Sequence, residues 1–317
     1  AIPYAGDFVA RTNLKDESQT KYNISHITTS RQKWVGGVLA SNGRIYAPPH
    51  AAPGPLIIDT SDPDNIAVSH LHIGHGLQTR GICLVENGDG SGRALMVSYS
   101  GGQKVSRFSY DKDGNEKMLP SIKYNYPHDL DPFYKFRKEN NCIDHSTDFY
   151  SRFFGCVDGG NGKFYAIPYG SAFVMVIDTN NDDKISFLTD YPLTANADYG
   201  KLPWSSLYFF IKCPQWSKYK GGVNMDGVIY AHGTHARSVL KIDTATDTVT
   251  EIPYPQEFIS TMTGPLSVNP TGSYRGNRSA SFFSFPGADG KVYSTPWSNP
   301  YQVSIDPKDD SIEFWNL

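Results

Sequence analysis

The chain has 317 residues, a formal net charge of −3, 39% hydrophobic and 19% charged residues. That balance gives no basic field to recruit nucleic acid or an anionic membrane, and no run approaches the ~20 apolar residues of a membrane span. With 20 Tyr, 17 Phe and 29 Gly, the composition suits an aromatic-rich β protein, a class that can reach this length as one domain.

Residues 1–33 carry none of the pattern that follows and are read as an N-terminal closing segment. At Gly36 begins GGVLASNGRIYAPPHAAPGPLIIDTSDPDNIAVSHL. Its short β-branched and aromatic runs, cut by Gly, Asp and Asn, spell four antiparallel strands. The same grammar returns, more weakly, from Gly81 through GSGRALMVSYS and VSRFSYDKDGN to Leu119. It returns as GCVDGGNGKFYAIPYGSAFVMVIDTNNDDKISFL from Gly155, as GGVNMDGVIYAHGTHARSVLKIDTATDTVTEI from Gly221, and through DGKVYSTP, YQVSIDP and SIEFW from Phe283. A repeat of this length marks stacked units. One four-stranded sheet cannot bury both faces alone, whereas radial stacking buries each against its neighbour. The expected fold is all-β, a single β-propeller domain over 1–317 with five four-stranded blades near 34–73, 79–119, 153–188, 219–252 and 281–317.

Three non-repeating stretches, Pro120 to Arg152, Asp190 to Lys220 and Pro253 to Ser281, are long enough to be functional insertions. Asp131-Pro132 and Ser205 to Lys212 could each open a short helix. Four cysteines show no CxxC spacing, which argues against zinc. Cys83 and Cys156 fall in first strands, where a free Cys serves as a small hydrophobe. Cys142 and Cys213, in the insertions, are expected to form a disulfide. Asn23-Ile24-Ser25 and Asn277-Arg278-Ser279 are glycosylation sequons, and the Ala-Ile-Pro start fits a processed secreted protein or, equally, a trimmed chain.

SVLKIDTATDTVTEI and FVMVIDTNNDDKIS resemble the YVTN-type β-propeller repeat: a Gly-containing inner strand, a DGKxYV-like turn, then a vxvIDtxtxxV segment. The resemblance covers all five copies. It implies the propeller fold but no particular reaction, because such propellers serve as surface proteins, binding scaffolds and enzymes. It also implies that the loops after second strands and those between blades open together, which puts the insertions on one face.

Aligning the copies places His50, Tyr99, Tyr169, Thr234 and Trp297 at one loop position. Lys33, Gln78, Arg152 and Lys218 align just before the first strands, with Arg80 and Lys220 close by. Cations beside aromatic rings suit an anionic glycan, so Lys33, Arg80, Tyr99, Arg152, Tyr169, Lys218 and Trp297 are the candidate ligand-binding residues of a secreted protein that recognises a glycan or a partner chain. The alternative is that the cations are solvated and the rings cap blade packing. A second functional reading is a carbohydrate-active enzyme, a polysaccharide lyase ahead of a glycoside hydrolase. His50 and Tyr169 would be its bases, with Arg152 and Lys218 neutralising the sugar carboxylate. A hydrolase would need a carboxylate pair drawn from Asp129, Asp131, Asp144, Asp148, Asp190 or Asp198. His232 and His235 are the nearest approach to a metal site, yet no carboxylate or Cys accompanies them, so neither metal nor cofactor is expected. The loop from Asp178 lacks the Gly and Glu of a calcium loop and reads as an Asx turn.

Overall fold

The computed structural model describes residues 1–73, 77–100, 102–131, 134–135, 152–190, 218–234, 236–262, 267–268, 274–275, 281–296 and 300–317. Ala1–Asn125 forms one compact unit, and the described residues from Tyr126 onward form a second. Among the described residues the fold is almost wholly antiparallel β.

The first unit opens with a hairpin, β1 (Phe8–Thr12) and β2 (Gln19–Asn23). Two four-stranded meanders follow. One holds β3 (Val38–Leu39), β4 (Arg44–Ala47), β5 (Leu56–Asp59) and β6 (Ala67–His70). The next holds β7 (Gln78–Glu86), β8 (Gly92–Ser100), β9 (Lys104–Tyr110) and β10 (Glu116–Lys123). In the second unit come β11 (Phe153–Asp158), β12 (Lys163–Pro168), β13 (Val174–Asp178) and β14 (Lys184–Leu188), then β15 (Val223–Met225), β16 (Val228–His232), β17 (Ser238–Asp243) and β18 (Thr248–Pro253). A short helix α1 (Gln256–Met262) and the small pair β19 (Ser267–Val268) and β20 (Tyr274–Arg275) precede the last meander. That meander holds β21 (Ser281–Pro286), β22 (Val292–Pro296), β23 (Tyr301–Asp306) and β24 (Ser311–Asn316).

The five four-stranded sheets coincide with the five repeats and are the blades of a β-propeller. The two hairpins are additional sheets that the repeat did not announce, and residues 1–33 contribute one of them. Of the helix expected from Asp131-Pro132, residues 134–135 are helical, beside a 3₁₀ turn at His128–Leu130. The stretch from Ser205 to Lys212 lies outside the described residues. α1, in the third insertion, was not anticipated.

Alternation within the strands decides what each sheet faces. Tyr46 and Ile57 pack with Ala94, Met96 and Phe108 of the neighbouring blade, while Ala47, Leu56 and Ile58 pack with Trp34 and with Val9 and Ile24 of the N-terminal segment. In the second unit Tyr165, Ile167 and Val176 meet Ile229, Ala231 and Leu240, and Tyr230 and Val239 meet Val292, Val303 and Ile305. The inner strands approach so closely that a Cβ on Gly155 (φ +95°) would lie 2.7 Å from the Gly221 Cα.

At the turn ends the packed blades are joined by a recurring clasp. Arg44 Nη1 lies 2.8 Å from Glu116 Oε1, to which the Tyr46 hydroxyl donates at 3.1 Å. Lys163 Nζ lies 2.5 Å from Asp247 Oδ2, and Tyr165 donates to Oδ1 at 2.6 Å. Lys241 Nζ lies 2.6 Å from Asp310 Oδ2, with Tyr230 donating to Oδ1 at 3.2 Å. Asp247 and Asp310 reach these partners from left-handed turn positions (φ 55° and 60°). Asp59, Asp111, Asp178, Asp243 and Asp306 each accept the backbone N–H two residues on, so the calcium-like loop is an Asx turn in all five copies.

The cysteine reading needs correction. Cys83 and Cys156 are both disulfide-bonded rather than free, and no free cysteine occurs among the described residues. Both occupy inner-strand positions whose neighbours in the repeat are small and apolar, which is why the sequence read them as packing residues. Cys142 and Cys213 lie outside the described residues.

Candidate functional site

In the first unit, Lys33 and Trp34 run antiparallel to the loop after β4, through a bridge between Trp34 and Pro49. The His50 N–H donates to the Lys33 carbonyl at 2.8 Å. The Thr79 amide reaches the Pro49 carbonyl at 2.9 Å, which brings β7 against the same loop. The ladder between β7 and β8 pairs Thr79 with Ser98 and Gly81 with Val97, leaving Arg80 as a bulge residue. Bulges re-aim side chains. The Arg80 guanidinium lies 3.7 Å from the centroid of the Tyr99 ring, and its Nη2 is 2.7 Å from His50 Nε2.

Arginine only donates, so His50 Nε2 accepts and the proton of the neutral imidazole is assigned to Nδ1. That Nδ1 is buried without a hydrogen-bond partner. Burial, and then the charge of Arg80, hold the imidazolium pKa of His50 down to about 4. Tyr4 and Tyr99 flank the ring at centroid distances of 6.1 and 5.7 Å.

In the second unit the same backbone bond recurs at equivalent positions. Tyr169 N–H donates to the Arg152 carbonyl at 2.8 Å, and Thr234 N–H to the Lys218 carbonyl at 2.6 Å. The alignment of His50, Tyr169 and Thr234 opposite Lys33, Arg152 and Lys218 is therefore a physical register. Arg152 lies over the ring of Tyr126 at 4.7 Å, with its Nη2 3.5 Å from His128 Nε2. His128 contacts Tyr134 with centroids 4.1 Å apart. Tyr126 donates to Asp131 at 2.6 Å, and burial followed by that carboxylate's charge push its phenol far above the ordinary value. Lys220 sits 5.8 Å from the Phe154 ring and 5.6 Å from that of Tyr169.

The alternative of solvated cations does not hold for the four residues nearest the first strands. Lys33, Arg152, Lys218 and Lys220 are all buried. Lys33 Nζ meets Asp7 at 2.7 Å and the Gly6 carbonyl at 2.9 Å, while Lys218 Nζ donates to the Ser171 carbonyl at 2.5 Å. Their ammonium groups bond to backbone carbonyls, so Lys33 and Lys218 act on the protein itself. Arg80, Tyr99 and Tyr169 are half-buried and within a ligand's reach.

His232 is 1% exposed, and its backbone N–H and Nδ1 lie 2.9 and 3.1 Å from Ser284 Oγ. Burial alone lowers its pKa to about 3. Among the described residues no group of three His, Cys, Asp or Glu is placed to hold a metal. His235 and Trp297 lie outside the described residues, as do Asp144, Asp148 and Asp198. Asp131 is buried against Tyr126, and Asp129 and Asp190 are exposed. Sequence reasoning passed over Tyr126, His128 and Tyr134 because their insertion has no counterpart in the repeat. The Arg80 bulge had one signal, the glycine that follows it.

Asn23 of the first sequon is exposed, its Oδ1 accepting from Ser25 N–H at 2.8 Å and from its hydroxyl at 2.7 Å. Asn277 lies outside the described residues. No helix among the described residues is long and apolar enough to cross a membrane.

No family model matches the sequence, and no curated protein resembles it significantly. Solved structures do. Virginiamycin B lyase from Staphylococcus aureus superposes with a TM-score of 0.59 at 13% identity, over 98% of this chain and 78% of that one. The extracellular domain of a hybrid two-component system from B. thetaiotaomicron gives 0.51 at 12% identity, over 99% of this chain and 34% of that one. A protein of unknown function from Bacteroides caccae gives 0.52 at 10% identity, over 99% and 92%. At these identities the likeness shows the β-propeller fold and nothing narrower.

Proposed function

We propose that the chain is a secreted binding propeller that takes an anionic glycan at the Arg80–His50–Tyr99 cluster. The observation that carries this reading is the way Arg80 is held. Its guanidinium lies over the Tyr99 ring and against a neutral imidazole on a half-buried bulge. A half-buried guanidinium beside an aromatic plane offers one group for a carboxylate or sulfate and another for a sugar face. Disulfide-bonded cysteines favour an oxidising compartment, and the extracellular-domain neighbour is in keeping with it.

The test is titration calorimetry with trigalacturonate and with a heparin-derived disaccharide. Binding of at least one, weakened ~10–100-fold in Arg80→Ala, is the expected result. No heat from either probe rejects the reading.

A polysaccharide lyase is the competing function, and the lyase neighbour invites it. His50 bears on that choice. An imidazole held to about 4 is a weak base at neutral pH, whereas general bases work best with a pKa near the working pH. Release of unsaturated uronate products that absorb in the ultraviolet would decide for the lyase.

A further inference from the structure

The outer strand of the first blade runs on past its named end. β6 pairs His70 with Leu56, and two further bonds keep the same register, Leu71 N–H to the Pro55 carbonyl and Ile73 N–H to the Pro53 carbonyl, each at 3.1 Å. Along such an extended run, alternate side chains share a face. Val68 marks one face by packing with Val9, Ile24 and Ile58, and Leu71 marks the other by packing with Tyr46 and Ile57. His70 and His72 therefore continue the Val68 face.

The two imidazole centroids lie 5.8 Å apart, with the ring planes at 78°. An ion about 2 Å from one nitrogen of each ring sits roughly 3 Å from each centroid, so rings up to ~6 Å apart can share it. His70 is half-buried and His72 exposed, which leaves the pair open to solvent. The backbone between them is held from behind. Trp34 Nε1 donates to the Gly54 carbonyl at 2.9 Å, and Gly54 approaches so closely that a Cβ on it would lie 1.7 Å from the Leu71 carbonyl oxygen and 3.3 Å from Ile73 Cγ1. The fold thus sets the spacing of the two rings before any ligand arrives.

We propose that His70 and His72 form a two-imidazole site for a divalent transition metal, taking Cu²⁺ ahead of Zn²⁺. Imidazole nitrogens suit copper, nickel and zinc, and copper heads the order of affinity. Calcium and magnesium call for oxygen ligands, which the pair lacks. His26 lies near enough that its charge, after burial and the charge of His72, lowers the pKa of His70. Among the described residues, however, no group of three His, Cys, Asp or Glu is placed to hold an ion. His26 is therefore a neighbour and not a ligand, and water completes the coordination. The site shares no residue with the Arg80–His50–Tyr99 cluster.

The experiment is calorimetric titration of the full chain with Cu²⁺, followed by electron paramagnetic resonance at one equivalent. One Cu²⁺ per chain is expected, its spectrum coupled to two imidazole nitrogens, with Zn²⁺ bound more weakly. His70→Ala and His72→Ala should each weaken the affinity by ~10–100-fold, at least what removal of an outer-shell partner costs, and leave coupling to a single nitrogen. His72 is exposed, so His72→Ala should keep the wild-type melting temperature and separates loss of a ligand from loss of the fold. His26→Ala should bind as the wild type does. Failure to bind Cu²⁺ overturns the proposal. Binding that survives both His70→Ala and His72→Ala with its coupling unchanged overturns it as well, because the ion then sits elsewhere on the chain. A loss of affinity in His26→Ala as large as in His70→Ala rejects the pair as the ligand set.

Discussion

The turn ends of the blades and the loop ends both gather cations and tyrosines, but they neutralise them differently. At the turn ends Arg44, Lys163 and Lys241 each meet a carboxylate of the adjacent blade, and a tyrosine hydroxyl bonds to the same carboxylate. At the loop end of the first unit, Arg80 rests on the Tyr99 ring and an imidazole. Matched charges with satisfied hydrogen bonds make a structural joint. At Arg80 the contacts are instead an aromatic ring and a neutral imidazole, and the proposed function rests on that difference.

The comparison breaks most severely at the closest approach of the inner strands. Gly155→Ala places a Cβ 2.7 Å from the Gly221 Cα at a positive φ, so a loss of ~2–5 kcal/mol is expected from strain and overpacking. Chemical denaturation gives the number, and a loss under 1 kcal/mol would refute so tight a contact. Next comes the turn-end joint. Asp247→Ala leaves the buried Tyr165 hydroxyl and Lys163 without their carboxylate, at an expected cost of about 2 kcal/mol. Arg80→Ala should do the reverse, lowering the melting temperature by no more than ~2 °C while removing most of the anion affinity. Equal damage to stability from both variants would erase the distinction between joint and site.

The smallest effect is a pH slope. His50 and His232 are neutral when folded, their pKa values lowered to about 4 and about 3, whereas an unfolded imidazole titrates near 6.5. Below ~6.5 the unfolded chain takes up protons that the folded chain refuses, so stability is full above that pH and declines as pH falls toward those lower values. Melting temperatures at pH 7 and 5 should therefore differ, and His232→Leu should flatten the difference. An unchanged slope in that variant would contradict the assigned burial.

Much of the site's backbone was legible in the repeat. The residues aligned as His50, Tyr169 and Thr234 make the same hydrogen bond in three blades, because strand spacing fixes where each chain turns. Which cations remain accessible was not legible. Lys33 and Arg80 look alike in sequence, yet one bonds to Asp7 and loop carbonyls while the other projects from a bulge. Tyr126 and His128 join Arg152 from an insertion with no repeating partner to align against.

By itself the sequence determined the strands of the five four-stranded sheets, their order and the positions of the Asx turns, since alternation, glycine and aspartate act within a few residues along the chain. Tertiary structure alone decided which charges are paired, which rings they rest on and that Cys83 and Cys156 are each disulfide-bonded. Those outcomes depend on side chains brought together from strands distant in sequence, where burial raises the cost of every unmatched polar group and so selects its partner.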